Sequence, residues 1–177
     1  MYMFKMRHLL LGLLTGLSLC HANAAEGPDL GEVIPAEELS KSDISIPPDG
    51  SGLPPGSGTA VLGAPIFQAK CLACHGPEGQ NGLHDQLVGG IGSLATEQPV
   101  KTVGSYWPYA TTLFDFIRRA MPYQQPHTLS DAETYSLTAY LLFLNGIIGE
   151  TEQIDQNTLP EISMPNRDNF IWTEDAR

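Results

Sequence analysis

Three side chains within five positions carry most of the chemistry this sequence offers: Cys71, Cys74 and His75, in Cys71-Leu72-Ala73-Cys74-His75. Two thiols at that spacing with an adjoining imidazole are what covalent attachment of a haem needs. Each thiol adds across one porphyrin vinyl group, and the imidazole reaches the iron from the same side. Two other chemistries also use paired cysteines. A zinc site wants a second pair of Cys or His ligands at comparable spacing, and a redox dithiol has no use for the adjoining histidine. The remaining cysteine, Cys20, lies in an amino-terminal segment expected to be removed, so the pattern favours one covalently bound haem c.

If His75 takes one side of the iron, the other ligand must come from Met121, Met164, His84 or His127. Met121 precedes Pro122 and lies 46 residues beyond His75, in a loop between two expected helices that could fold across the open haem face. An ordinary core methionine is the plainer reading of the same residue. Met164 also precedes a proline, but falls after the last core helix; the two histidines read as surface residues, His84 in a polar turn after Gly82. A thioether favours reduced over oxidised iron, so His/Met ligation raises the reduction potential. It also leaves no open coordination position, which points to electron transfer rather than ligand activation.

Weaker candidates surround these. Arg118 or Arg119 could pair with the haem propionates, but neighbours on a helix diverge, so at most one does. Trp107, Tyr106 and Tyr109 are placed to pack on or hydrogen-bond the haem edge, and ordinary core roles fit them equally well. The sequence offers no second metal cluster, no nucleophile with a recognisable base and no phosphate-binding glycine loop.

Three helices are expected to position this set. The first runs from about Thr59 to Ala73 and ends in the cysteine motif, with Phe67 one turn before Cys71; Pro65 suggests that its regular part begins there. The second spans Thr111 to Ala120, with a stripe of Leu113, Phe116, Ile117 and Ala120. The third opens on Ser130 with Glu133 three residues on, a capping box, and runs to Asn145 before Gly146. Its stripe is Tyr135, Ala139, Leu142 and Phe143, and Phe67 is expected to meet Tyr140 or Phe143 where the first and third helices cross. The glycine-rich stretch from Gly76 to Tyr109 supplies loops to wrap the porphyrin, whose apolar faces compensate for a small polypeptide core.

The organisation read from composition is a signal peptide over 1–24, a Pro/Gly-rich acidic leader over 25–58, a haem domain over 59–149 and an extension over 150–177. Lys5 and Arg7 precede an apolar run from Leu9 to Cys20 and the small residues Ala22-Asn23-Ala24-Ala25, a secretory signal too short for a comfortable membrane span. Bulky Leu19 before Cys20 argues against lipid attachment there. The mature protein is therefore expected in the periplasm, without a membrane span. Of the chain's 9 basic and 20 acidic residues the signal takes Lys5 and Arg7, leaving a formal charge of −13. That disfavours nucleic acid and anionic membranes as partners and suits transient docking on a basic protein, though it also serves plain solubility. The leader, with Pro47-Pro48 and Pro54-Pro55, has no apolar period with which to build its own core, although it could order along a partner.

Together these features resemble the class I cytochromes c, an all-α fold in which a small helical domain wraps one covalently bound haem. The resemblance covers about Thr59 to Gly149 and places Cys71, Cys74, His75 and Met121 on the family's haem-binding positions. Many members carry a proline a dozen residues after the histidine, whose carbonyl accepts the imidazole hydrogen bond; Leu87 stands there, leaving the acceptor open. A narrower likeness rests on Thr102-Val103-Gly104-Ser105-Tyr106-Trp107-Pro108-Tyr109-Ala110-Thr111-Thr112, Arg118-Arg119-Ala120-Met121-Pro122, Leu137-Thr138-Ala139-Tyr140, Leu144-Asn145-Gly146 and Met164-Pro165-Asn166-Arg167. These resemble the cytochrome subunits of bacterial sulfite and sulfane dehydrogenases. The resemblance implies a molybdenum-containing subunit as electron donor and a downstream cytochrome c or oxidase as acceptor. Asn169, where many relatives have glycine, and the long leader depart from the pattern. A carrier serving another periplasmic dehydrogenase, such as one oxidising alcohols, and a haem-based sensor or peroxidase-like protein are the alternative readings.

Overall fold

The computed structural model describes residues 31–171, so the signal peptide, the first part of the leader and Trp172 lie outside the described residues. Two compact units divide the chain, Met1–Leu39 and Ser40–Arg177. A short helix, α1 (Ala36–Ser42), runs across the boundary between them. The remaining elements are β1 (Ser57–Gly58), α2 (Ala60–Lys70), α3 (Leu72–His75), α4 (Ala110–Ala120), α5 (Asp131–Leu144) and β2 (Ile154–Asp155), joined by short 3-10 turns. The fold is all-α, with one two-residue antiparallel pair in which Ser57 faces Asp155 and Gly58 faces Ile154.

Helix α5 is the buried axis. Its residues Thr134 to Ala139, with Leu141 and Leu142, are all buried, so it packs on most of its circumference rather than along one stripe. Ser130 caps it through the expected box: its hydroxyl accepts from the Glu133 amide, while the Glu133 carboxylate accepts from the Ser130 amide at 2.9 Å. Lys70 Nζ on α2 reaches the same carboxylate at 2.7 Å, and these bonds hold the Glu133 carboxyl below its ordinary range, Lys70 contributing most. At the other end Gly146, at φ +70°, closes the helix: its amide bonds Phe143 O, and the Ile147 amide bonds Leu142 O. Glycine adopts that left-handed conformation without a Cβ penalty.

Helix α2 crosses α5 at backbone contact. A Cβ at Gly63 would strike the Ser136 carbonyl oxygen, so only glycine allows this approach. One turn on, the Phe67 ring meets Tyr140 with centroids 5.3 Å apart, the expected crossing contact. Two details differ from the sequence reading. The helix begins at Ala60, capped by the Thr59 hydroxyl, and runs through Pro65. The donor that proline lacks would have served Val61 O, and Val61 is exposed, so water can take that place. The helix also breaks at Cys71 (φ −121°, ψ −33°) before restarting as α3, so the motif occupies its own turn.

In α4 the buried face is Ala110, Leu113, Phe114 and Ile117. Phe114 is fully buried against Tyr135, ring centroids 4.5 Å apart, whereas Phe116 of the expected stripe is exposed and meets Trp107 edge-on at 5.7 Å. A position shift of two residues turns a side chain by about 200° on a helix, enough to exchange core for surface.

The segment expected to lie outside any core docks instead on its own chain. Ile46 is buried and its amide donates to Asp115 Oδ1 at 2.8 Å. Pro48 O accepts from Thr111 Oγ1 and Pro54 O accepts from the Tyr135 hydroxyl, each at 2.9 Å. Residues 44–58 thus form a strap over α4 and α5. A proline-rich strand has few amides to satisfy, so its carbonyls need donors, and the helices present them. In the extension, Ile154, Leu159 and Met164 are likewise buried in the core.

Candidate functional site

The two thiols and the imidazole come together because a single turn carries them. The amides of Cys74 and His75 both bond Cys71 O, at 3.1 and 3.0 Å, and Gly76 N bonds Leu72 O at 2.8 Å. Gly76 then reverses the chain at φ +76°, where a Cβ would strike Gln80 O. The loop returns to the motif through His84 N, which donates to Cys74 O at 3.0 Å. Helix α2 fixes the motif against α5, and the turn fixes the loop against the motif.

Both thiols are free, Cys71 half-buried and Cys74 exposed. Burial pushes the Cys71 thiol up to about 11, with Cys74 raising it further and Lys70 opposing. A dithiol built for exchange has a lowered thiol, so this environment speaks against that chemistry. Among the described residues no group of three or more His, Cys, Asp or Glu side chains is placed to hold a metal ion. A haem iron needs only two ligands from the protein.

His75 is oriented for that role. Its Nδ1 lies 3.1 Å from the Asp85 carbonyl oxygen. A carbonyl only accepts, so Nδ1 carries the proton and the Nε2 lone pair is left for a metal. This supplies the acceptor that Leu87 left open: the chain uses a carbonyl two residues earlier. The Asp85 carbonyl belongs to a braced loop, with Leu87 N on Gly79 O at 2.8 Å and Leu87 O accepting from Val103 N at 3.2 Å.

The opposite ligand candidates differ in surroundings. Met121 is the C-cap of α4, its amide bonded to Ile117 O at 3.1 Å, and its side chain is half-buried at the edge of the core. Met164 is only 2% exposed, enclosed by protein. A ligand sulfur needs an open side, which Met121 keeps and Met164 does not. His84 and His127 are both exposed, although the His84 ring lies 6.5 Å from that of His75.

The weaker candidates have protein partners of their own. Arg118 Nε pairs with Asp131 Oδ1 at 3.1 Å and its guanidinium also reaches Ile44 O at 3.5 Å, so its bonds brace α4 against α5 and the strap. Arg119 grips Asp115 with both ends of its guanidinium, Nε at 2.8 Å. Trp107 Nε1 donates to Thr112 Oγ1 at 2.9 Å, anchoring the start of α4. The Tyr109 ring carries the Arg167 guanidinium 5.4 Å above it. Tyr106 lies against Phe170 and under Lys101.

A capped attachment helix, a cysteine turn with a carbonyl-oriented histidine and a methionine ending the next helix are the working parts of a haem-binding domain. The comparisons agree. The family model for cytochrome c oxidase, cbb3-type, subunit III matches residues 58–141. The structure superposes on a chain of the sulfane dehydrogenase SoxCD from Paracoccus pantotrophus with a TM-score of 0.76. The two are 38% identical over 85% of this chain and 74% of that one. No curated protein matches the sequence. The chain therefore belongs to the class I c-type cytochromes, and its likeness is to the cytochrome of the sulfane dehydrogenase SoxCD. Membership of that family implies haem as the cofactor. No helix among the described residues is long and apolar enough to cross a membrane.

Proposed function

We propose that the protein is a periplasmic monohaem cytochrome c that accepts single electrons from a molybdenum-containing sulfite or sulfane dehydrogenase subunit and passes them to a downstream cytochrome c or oxidase. The observation that carries this reading is the reach of the SoxCD likeness: it spans 85% of the chain, well beyond residues 58–141 of the haem-domain match. A likeness confined to the haem domain would speak only for a generic carrier.

Bound haem supplies a one-electron iron couple. The chain's residues then have distinct tasks. Cys71 and Cys74 would tether the porphyrin through two thioethers, so that the cofactor is retained during turnover. His75 would offer Nε2 to the iron, its ring held by the Asp85 carbonyl. Met121 would present its sulfur from the end of α4 as the second protein ligand. The core around Phe67, Leu113 and Leu142 excludes water, which keeps reorganisation on electron transfer small.

The test is capture of the exported, haem-loaded protein from its native periplasm, followed by haem reduction on the recovered complex with sulfite and then with a sulfane-sulfur donor. Recovery of a molybdenum subunit with substrate-dependent reduction is the expected result. No such subunit and a haem left oxidised by both substrates would leave only the generic carrier. Rapid carbon monoxide binding to the untreated reduced protein would instead favour a sensor or peroxidase.

A further inference from the structure

We propose that Asn145 is a positioning residue for the iron-facing histidine, holding the loop whose Asp85 carbonyl takes the His75 hydrogen bond. The inference rests on the haem reading above. Asn145 is 8% exposed, and its amide is fully used. Oδ1 accepts from Gly89 N at 3.0 Å, while Nδ2 donates to Leu87 O at 3.2 Å and to Leu141 O at 2.8 Å. Two of those partners, 56 and 58 residues away in sequence, bracket the loop just beyond Asp85. The third lies in the last turn of α5, whose middle, at Ser136, is in backbone contact with α2, the helix that leads into the His75 turn.

One side chain thus ties together both halves of the His75–Asp85 pair, the ring through α5 and α2 and the carbonyl through residues 87–89. The fit has no slack. A Cβ at Gly104 would strike Asn145 Oδ1, so the neighbouring backbone is packed directly on the amide. The amide cannot be turned over either, because its NH2 would then face the Gly89 N–H. Asp85 and Gln86 are themselves exposed, so the clamp at 87–89 is what restrains the carbonyl on that side.

A firm hydrogen bond from Nδ1 makes the imidazole a stronger donor and favours oxidised iron; slackening it favours reduced iron. In the full-length haem-loaded protein, Asn145→Ala is therefore expected to shift the reduction equilibrium toward reduced haem by about threefold, about 28 mV at ~59 mV per tenfold. The His75 Nδ1–H, followed by NMR in the reduced protein, is expected to exchange about tenfold faster. Asn145→Asp keeps the Gly89 bond and loses both donated ones, so faster Nδ1–H exchange in that variant carries the test if the alanine variant fails to load haem; its added carboxylate itself favours oxidised iron, so the potential is read in Asn145→Ala. Tyr135→Phe is the comparator, since it cuts only the bond to Pro54 O and should move neither readout. Unchanged potential and exchange in the Asn145 variants, or equal changes in Tyr135→Phe, would overturn the assignment. Absence of haem from the wild-type protein would instead refute the haem reading itself.

Discussion

The α2–α5 crossing and the strap over α4 are held together by different physics. At the crossing, Gly63 lets backbone touch backbone, Phe67 packs on Tyr140, and the Lys70–Glu133 ion pair joins the last turn of α2 to the first turn of α5. In the strap, Ile46 and Leu53 reach the core, and carbonyls of Ile44, Pro48 and Pro54 and the Ile46 amide are pinned one by one to Arg118, Thr111, Tyr135 and Asp115. The crossing fails where volume is added between the two backbones. The strap fails where a shared polar hub is lost.

The sharpest way to break the comparison is at the crossing. Gly63→Val places side-chain carbon against the Ser136 carbonyl, which cannot move without shifting the whole of α5. The expected loss exceeds about 4 kcal/mol, and the variant should fail to yield folded holoprotein on expression. A folded, haem-loaded Gly63→Val protein with near-normal thermal stability would show that the helices can separate at no cost.

The strap should give way at Asp115, which serves both the Ile46 amide and Arg119. Asp115→Ala leaves a buried donor without a partner, at about 2–3 kcal/mol. Because the crossing is untouched, the protein is expected to fold and load haem, while limited proteolysis cuts within residues 44–58 that resist in the parent. Equal protease resistance would mean that the strap is held by its apolar contacts alone.

This difference also explains what could be read from the chain. The cysteine motif, the Ser130–Glu133 box and the stop at Gly146 depend on neighbours within a few positions, so their chemistry is visible in one line of sequence. Phe67 with Tyr140 was legible because the cysteine motif and the capping box fix where the two helices run. The strap was not: Ile46 meets Asp115 across 69 residues, and a proline-rich run gives no sign of where its carbonyls will find donors. Leu87 marked a departure at the histidine's usual partner, yet the replacement is a backbone carbonyl, which no side-chain pattern encodes. Asn145 read only as a helix end, and the calls on its amide come from residues far upstream. The pairing of Arg118 with Asp131 was not legible either, because it joins two helices that sequence alone does not bring together.

The central claim is a haem ligated by His75 and Met121, and the visible spectrum of the oxidised protein tests it most directly. The account predicts that the thioether-to-ferric-iron charge-transfer band at the red end is present in the parent and in Met164→Ala and absent from Met121→Ala. A band that survives in Met121→Ala, or disappears only in Met164→Ala, would contradict it.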